Sequence, residues 1–190
     1  MLKAIETRYA GRRFRSRREA RWAILFDELE IDWRYEPEGY VLAGNVHYLP
    51  DFELHYVTHG TPTRCWVEVK PDLQPYSQLS SLCSESEQCG WLVAEPMLRA
   101  DALCCDPTGR WWPPKPIARF LFEVSGLDAA DPQADLRLVA ASNAALSARW
   151  EHGEQPRRKP KPGGRGPRAY TRPEQLFNEH RHDGGAFTKF

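Results

Sequence analysis

The sequence lacks the features that would place the chain in a membrane or in a disulfide-bonded class. No apolar run in its 190 residues approaches the roughly 20 residues that a membrane-spanning helix needs. The arginine-rich start has no hydrophobic stretch of the signal-peptide type. The five cysteines are an odd number without regular pairs, which favours a reducing compartment over a disulfide framework. We therefore expect a soluble cytoplasmic protein with no membrane partner.

The cysteine spacing does not favour a zinc site either. Cys83, Cys89 and the pair Cys104–Cys105 lack the short Cys-x₂₋₄-Cys spacing that zinc sites usually use. No zinc finger and no clear helix-turn-helix can be identified in the chain. Buried free thiols are therefore the expectation for the cysteines.

Charge is segregated along a chain whose formal net charge is zero. Residues 8 to 21 hold seven arginines and one acid, and residues 151 to 173 hold seven more basic residues. Basic ends on an acidic body are a footprint of nucleic-acid binding, although a charge run can also be only a solvated surface. The basic residues that we expect to contact phosphates are Arg12, Arg13, Arg15, Arg17, Arg18, Arg157, Arg158, Lys159 and Lys161.

The second basic stretch is also rich in proline and glycine. Such a stretch cannot bury enough apolar surface to offset the entropy lost on ordering. The predicted organisation is one domain over residues 1 to 150, followed by a flexible basic tail over residues 151 to 190 that we expect to be disordered.

Two neighbouring segments with a two-residue period carry carboxylates and a lysine. Around Asp51 the apolar side chains alternate with polar ones, and the same alternation places Glu68 and Lys70 together on one face of the next strand. The short polar turn over residues 58 to 63 predicts an antiparallel pair. Carboxylates bind Mg²⁺ together with substrate phosphate, and a nearby lysine can orient water or offset charge on phosphorus.

A third carboxylate lies on a predicted helix over residues 16 to 29. Glu19 falls at helical spacing from Trp22 and Phe26, so it belongs to the apolar face of that helix. A buried acid is costly unless it is paired, which indicates a site. Ser16-x-x-Glu19 also matches a capping box, in which Glu19 would serve only the helix end. The spacing alone leaves both interpretations open.

The order Glu19, Pro50-Asp51, Glu68-x-Lys70 resembles the PD-(D/E)xK nuclease superfamily, which has the restriction-endonuclease-like fold. The surrounding segments, which are similar to small bacteriophage nucleases and to the endonuclease subunit of heteromeric transposases, are Phe14-Arg15-Ser16-Arg17, Tyr35-Glu36-Pro37-Glu38-Gly39 and Tyr48-Leu49-Pro50-Asp51-Phe52. The resemblance covers roughly residues 12 to 96. It implies an α/β core of helix, three strands, helix and strand, with a mixed sheet flanked by helices.

The resemblance also implies roles for single residues. Asp51, Glu68 and the backbone carbonyl of Val69 would hold Mg²⁺ or Mn²⁺, and Lys70 would assist the attacking water. Glu19 would complete the catalytic set and is a further candidate ligand of the metal. The expected activity is hydrolysis of DNA inside a bacterial cell, giving a 5′-phosphate and a 3′-hydroxyl. The expected partners are DNA and either a second copy of the chain or a larger phage or transposition complex. An alternative is a DNA-binding or assembly protein that keeps the fold without turnover.

The rest of the chain predicts further elements. The predicted strands are Trp33 to Tyr35, continued by Tyr40 to Leu42, then Trp91 to Ala94, and an edge strand from Leu121 to Val124. The predicted helices are Tyr76 to Cys89, stopped by Gly90, and Asp135 to Trp150, with Leu136, Val139, Ala140, Asn143 and Leu146 on one side. A strand, a helix and a returning strand imply a parallel pair.

Two features have weaker interpretations. Tyr76 and Gln78 are the only candidates for catalytic residues on the second helix, and neither matches convincingly. The segment Trp111-Trp112-Pro113-Pro114-Lys115-Pro116 either stacks bases as an aromatic and basic platform or holds a loop against the core. The sequence favours the second interpretation.

Overall fold

The computed structural model describes residues 7–96, 98–150, 156 and 188–189. The predicted disordered tail therefore lies almost entirely outside the described residues. The same holds for Arg157, Arg158, Lys159 and Lys161, the predicted phosphate contacts of that tail.

The described residues alternate between strands and helices. In chain order the elements are β1 (Thr7–Tyr9), β2 (Arg12–Phe14), α1 (Arg17–Glu28), β3 (Asp32–Tyr35), β4 (Tyr40–Leu42), β5 (Val46–Tyr48), β6 (Phe52–Thr58), β7 (Thr61–Val69), α2 (Ser77–Ser86), β8 (Cys89–Val93), β9 (Asp101–Cys105), β10 (Lys115–Pro116), α3 (Ile117–Ser125), α4 (Pro132–Ser147) and β11 (Thr188–Lys189). Within this part of the chain, no helix is both long enough and apolar enough to cross a lipid bilayer.

The main sheet is mixed and has the strand order β10-β9-β8-β7-β6-β3. Strands β6 and β7 form the predicted antiparallel pair, and β8 lies parallel to β7 after the α2 crossover. The remaining neighbours in this sheet pair antiparallel. This confirms the predicted mixed sheet and its parallel pair, with helices packed on it.

One predicted strand continues differently. Strand β4 does not extend β3 but pairs with β5 and β11 in a separate three-stranded sheet. The chain turns at Glu36, which has a positive φ of 45° and donates its backbone N–H to the Asp51 carbonyl oxygen at 2.9 Å. This turn ends β3 beside the start of β6.

The two faces of the β6–β7 pair enter different apolar cores. Phe52, Leu54 and Val67 pack with α1 in the larger cluster. Trp66 lies on the other face and packs with Leu79 and other α2 residues in the smaller cluster. The two-residue alternation predicted for these strands is therefore confirmed.

The second helix is shorter than predicted. It ends at Ser86, and Glu87 takes the left-handed conformation at its C-terminus with φ 55°. Gly90 does not stop this helix but lies inside β8. A Cβ at Gly90 would lie only 2.5 Å from Cys83 Sγ and 3.0 Å from Leu79 Cδ1. The glycine therefore allows α2 to approach the sheet closely.

We expect Gly90→Ala to lower the free energy of unfolding by about 1–3 kcal/mol, because the added methyl group overpacks the contact between α2 and β8. Urea unfolding measures the change. The matched control is Gly90→Ala combined with Cys83→Ala, which removes the clashing sulfur. The double variant should lose less stability than the two single losses added together, and simple additivity would contradict the packing explanation.

One other prediction was wrong. Residues 121 to 124 lie in the helix α3, not in an edge strand, because Ile117, Phe120, Leu121 and Val124 repeat at helical spacing and bury one face. Helix α4 buries a face of small residues, which are Ala134, Ala141, Ser142 and Ala145 together with Leu138. The predicted face is the outer one, since Leu136 and Val139 are exposed. Small side chains allow α4 to pack closely against the core.

Candidate functional site

The predicted carboxylates Asp51 and Glu68 come together at one end of the β6–β7 pair. Phe52 is the register partner of Val67, so Asp51 and Glu68 follow at the next position along the two strands. Residues directly opposite in an antiparallel pair have Cβ atoms about 5 Å apart. Both side chains are almost fully buried, at 3% and 2% exposure. The structure therefore places two carboxylates side by side under the surface.

Each oxygen of Asp51 has a donor. Oδ2 accepts a hydrogen bond from the backbone N–H of Val69 at 2.8 Å, and Oδ1 accepts one from Arg15 Nη2 at 2.6 Å. The Arg15 guanidinium also pairs with Glu36 at 2.7 Å. Val69, whose carbonyl was a predicted ligand, thus lies next to Asp51 at the end of β7.

Glu68 is held between a lysine and a tyrosine. Lys70 Nζ lies 2.6 Å from Glu68 Oε1, which shows that these side chains share a face, and Tyr48 donates its hydroxyl to Oε2 at 2.7 Å. The Lys70 ammonium also lies 4.7 Å from the centre of the Tyr76 ring. The two tyrosine rings meet edge to face at 6.0 Å. This aromatic pair fixes both Glu68 and Lys70.

Burial and charge change the protonation of this group. Burial, followed by repulsion from Glu68 and from Glu19, raises the pKa of Asp51 to about 7, although Val69 N–H and Arg15 act in the opposite direction. For Lys70, burial alone would lower the pKa, but the hydrogen bond and charge of Glu68 and the charge of Asp51 outweigh it and raise the pKa. Lys70 therefore stays an ammonium at neutral pH.

Glu19 is buried, and its contacts bear on both of the interpretations that the sequence left open. Ser16 is the N-cap of α1 and accepts a hydrogen bond from the Glu19 backbone N–H at 3.2 Å, while its hydroxyl donates to Glu19 Oε1 at 2.6 Å. The other oxygen, Oε2, accepts from Tyr35 at 2.6 Å and from the Arg15 N–H at 3.2 Å. Since the Glu19 charge also acts on Asp51, Glu19 lies at the edge of the same group.

Glu19→Gln should lower the pKa of Asp51, because it removes one of the two negative charges that act on that carboxyl. Carbon-13 NMR of the Asp51 carboxyl across a pH series measures the effect. Glu30→Gln is the control, since Glu30 is an exposed carboxylate just beyond the other end of α1. An Asp51 pKa that is equal in both variants would mean that Glu19 serves only the helix end.

The predicted arginines of the first basic segment are not equivalent. Arg15 binds Asp51 and Glu36, and Arg18 Nε pairs with Glu95 at 3.0 Å. Arg12 and Arg13 lie exposed on β2, where the Arg12 guanidinium lies 5.7 Å from the ring centre of Trp33. Arg17 is half-buried at the start of α1. Arg15 thus belongs to the site itself, while β2 presents the outward cations.

The oxygen donors at Asp51 and Glu68 are of the kind that hard divalent ions prefer. Within residues 7–96 and 98–150, no group of three or more His, Cys, Asp or Glu side chains is arranged to hold a metal, so the protein ligands would be the two carboxylates and the Val69 carbonyl. One or two carboxylates plus substrate phosphate is the usual Mg²⁺ environment. Cations already cover these oxygens, since Arg15 lies on Asp51 and Lys70 lies on Glu68. The repulsion that raises the Asp51 pKa is what a bound cation would relieve.

Sequence reasoning missed Tyr35 and Tyr48 near the carboxylates, and it named Tyr76 without finding a convincing role for it. Tyr35, Tyr48 and Tyr76 each touch a predicted site residue, and burial together with the carboxylate raises the pKa of Tyr35 and of Tyr48. Tyr35 and Tyr48 lie in the two segments that resemble small bacteriophage nucleases, and this resemblance was the sequence signal that could have indicated a role for them. Tyr76 contacts Lys70 from the N-cap of α2. Gln78 Oε1 accepts a hydrogen bond from the hydroxyl of its neighbour Ser77 at 3.0 Å.

No protein-family model, curated protein or solved structure matches this chain.

Proposed function

We propose that the protein is a metal-dependent nuclease, most simply a DNA endonuclease, built on a restriction-endonuclease-like core. One observation carries the proposal: two buried carboxylates, Asp51 and Glu68, meet at the end of adjacent strands beside the ammonium of Lys70. Buried acids are costly without a compensating cation. A fold that retains two of them together, beside a lysine, supports a role in metal and phosphate chemistry.

Asp51, Glu68 and the Val69 carbonyl are the groups that would hold Mg²⁺ or Mn²⁺. Such an ion, when bound, acts as a Lewis acid and lowers the pKa of a water molecule. The carboxylates bind metal only when deprotonated, so a proton must leave Asp51 first. Because the pKa of Asp51 is raised to about 7, metal binding should become tighter as the pH rises from about 6 to 8.

Lys70 has a defined role in this proposal. Its raised pKa keeps it charged at neutral pH, so it cannot accept a proton from water. It instead offers hydrogen bonds that orient the attacking water and a positive charge that offsets charge developing on the phosphoryl oxygens. Glu68 and the Tyr76 ring hold the ammonium in place.

DNA is the proposed substrate because the site is next to exposed cations. The strands β1 and β2 form a hairpin whose outward side chains include Arg8, Arg12 and Arg13, and the chain leads from it directly to Arg15 at the carboxylates. Lysines and arginines at such positions bind phosphates without regard to sequence. An acidic body would otherwise repel the substrate.

Incubation of the purified protein with supercoiled and linear DNA tests the proposal. Cleavage should occur in Mg²⁺ or Mn²⁺ and should stop in EDTA. Ca²⁺ should support DNA binding with little cleavage, because it is larger and less demanding of geometry. Equal cleavage in EDTA would reject metal-dependent chemistry, and absence of cleavage in every metal would reject the nuclease.

A second function is a DNA-binding or assembly protein that uses the same fold without turnover, as a homodimer or within a phage or transposition complex. The observation that favours it is the pairing of Arg15 with Asp51 and of Lys70 with Glu68, since these cations neutralise the carboxylates without a metal. DNA binding that is unchanged by metal, together with no cleavage, would support this function.

A further inference from the structure

The two adjacent tryptophans after β9 have opposite environments. Trp111 forms a backbone bridge with Cys105 and packs against the smaller apolar core. Trp112 is 41% exposed and is the only aromatic among the large apolar side chains exposed in the described part of the chain. The sequence favoured a purely structural role for both residues. The structure packs Trp111 against the core and leaves much of Trp112 exposed.

The exposed indole of Trp112 is fixed at several points. Its Nε1 donates a hydrogen bond to Asp106 Oδ2 at 3.0 Å, and its backbone N–H donates to the Cys104 carbonyl oxygen at 2.8 Å. Pro113 and Pro114 follow and restrict the backbone. The ring is therefore held in one orientation while much of it faces solvent, so a ligand that stacks on it would pay little ordering entropy.

Asp106 is the centre of the turn that holds the indole. Its Oδ1 accepts hydrogen bonds from the Thr108 N–H at 2.9 Å, the Thr108 hydroxyl at 2.6 Å and the Arg110 N–H at 3.2 Å. The hydrogen bonds from Thr108, Arg110 and Trp112 outweigh the effect of desolvation and lower the pKa of Asp106 to about 2. The carboxylate is therefore ionised and accepts hydrogen bonds within its own turn.

Two cations lie over the same ring. The Arg110 guanidinium is 5.1 Å from the ring centre of Trp112, and Lys115 Nζ is 5.6 Å from it. Two cations and one carboxylate, Asp106, surround the indole, so this cluster carries a net positive charge. An exposed aromatic ring with two cations over it suits a ligand that has a flat ring and neighbouring negative charges.

We propose that Trp112, Arg110 and Lys115 form a binding site for unpaired nucleotides of a single-stranded nucleic acid, with the base stacked on Trp112 and the neighbouring phosphates next to the two cations. Bases stack on aromatic side chains with little sequence preference, and basic side chains follow the backbone. In duplex DNA the base faces are already stacked, so a duplex would use only the cations. The site does not depend on the carboxylates of the proposed nuclease.

The test measures binding of fluorescent oligo(dT) by anisotropy in EDTA, where no cleavage interferes. Trp112→Ala should weaken binding about 5- to 100-fold, the usual effect of removing one stacked base contact. Trp112→Phe should recover most of the affinity, because a phenyl ring still stacks. Val139→Ala is the matched control, since Val139 is another exposed apolar residue on the distant helix α4, and it should bind like the unmodified protein.

Two further probes separate stacking from charge. An abasic oligonucleotide of the same length should bind equally to the unmodified protein and to Trp112→Ala. Arg110→Gln should reduce the salt slope by about 0.7 on single strands, the value for one phosphate contact, whereas Trp112→Ala should leave the slope unchanged.

The proposal is overturned if Trp112→Ala binds oligo(dT) like the unmodified protein, or if it weakens the abasic probe as much as oligo(dT). Circular dichroism and thermal unfolding check that each variant is folded. A duplex that loses as much affinity as the single strand in Trp112→Ala would also overturn it. Loss of metal-dependent cleavage in other variants has no bearing on this result, so the two proposals can fail separately.

Discussion

Replacing Glu68 by glutamine should abolish metal-dependent cleavage of DNA while leaving the protein folded. The amide retains the size of the side chain and an oxygen that can accept from Tyr48, but it removes the charge that holds a divalent ion and pairs with Lys70. Loss of a metal ligand should cost at least about 100-fold in cleavage rate, since even partners outside the ligand set cost 10- to 100-fold. The rate of nicking of supercoiled DNA in Mg²⁺ measures the loss.

Glu53→Gln is the matched control for this experiment. Glu53 is also almost fully buried and lies on β6, two residues from Asp51. Its partners are Arg34, Arg64 and His55, at 3.8, 3.3 and 3.4 Å, and not the groups of the candidate site. Burial works against ionisation, but hydrogen bonding to His55 and the nearby cations lower the pKa of Glu53. The control therefore changes a buried carboxylate without changing the site.

Both variants need a check of folding by circular dichroism and thermal unfolding, because each loses a buried charge that has partners. The expected pattern is normal secondary structure in both, no cleavage in Glu68→Gln and retained cleavage in Glu53→Gln. Equal loss of cleavage in the two variants would assign the effect to stability. Full activity of Glu68→Gln would reject Asp51 and Glu68 as the metal site.

The sequence predicted best where a strong period acts together with chain order. The alternation around Asp51 and Glu68 predicted which side chains share a face of the strands, and the short polar turn predicted their antiparallel pairing. The helix at Ser16 also followed its local signals, with a side-chain cap and an apolar stripe. The parallel return at β8 followed from the α2 crossover.

The failures occurred where packing overrides local preference. Leu121 to Val124 has residues suited to a strand, but the helical repeat from Ile117 buries a better face. For α4, the spacing of the larger apolar residues did not indicate which face would be buried: the structure buries a face of mainly alanines and leaves Leu136 exposed. Gly90 could not be assigned from sequence, since its role depends on the approach of Cys83 from another element.

In the candidate site, too, local pattern predicted some residues, while contacts between distant segments could not be predicted. Pattern and order indicated Asp51, Glu68 and Lys70, all of which the structure brings together. The tyrosines could not be assigned to contacts, because Tyr48 reaches Glu68 from a separate small sheet and Tyr76 reaches Lys70 from the start of α2. The pairing of Arg15 with Asp51 was equally hidden, because it depends on how the residues before α1 lie against the sheet.

The stability of the metal-free protein should fall as the pH rises from about 5 to 8. The pKa of Asp51 is 3.8 in an unfolded reference and is raised to about 7 in the folded protein by burial and by the neighbouring carboxylates. Between these values the folded state holds a proton that the unfolded state has released, so folding weakens with increasing pH. Each pKa unit corresponds to about 1.4 kcal/mol, which gives an upper value of about 4 kcal/mol.

Urea unfolding in EDTA at pH 5, 6, 7 and 8 measures this dependence. Asp51→Asn should remove most of the slope, because an amide does not titrate, while Glu53→Gln should keep it. The lowered pKa values of Glu53 and Asp106 make the free energy of unfolding increase with pH. These two groups titrate only below about pH 5, outside the measured range. A stability that is constant or that increases from pH 5 to 8 would contradict the raised pKa of Asp51.

A bound metal ion should restore the stability that the metal-free protein loses at high pH. An ion that binds only the folded state stabilises it according to its concentration relative to the dissociation constant, and at pH 8 the Asp51 carboxylate is already deprotonated. Mn²⁺ or Mg²⁺ should therefore raise the free energy of unfolding more at pH 8 than at pH 6, and should have little effect on Asp51→Asn. A pH-independent effect of metal, equal in both proteins, would show that the ion binds away from Asp51. The same two carboxylates would then destabilise the metal-free fold without serving as its metal ligands.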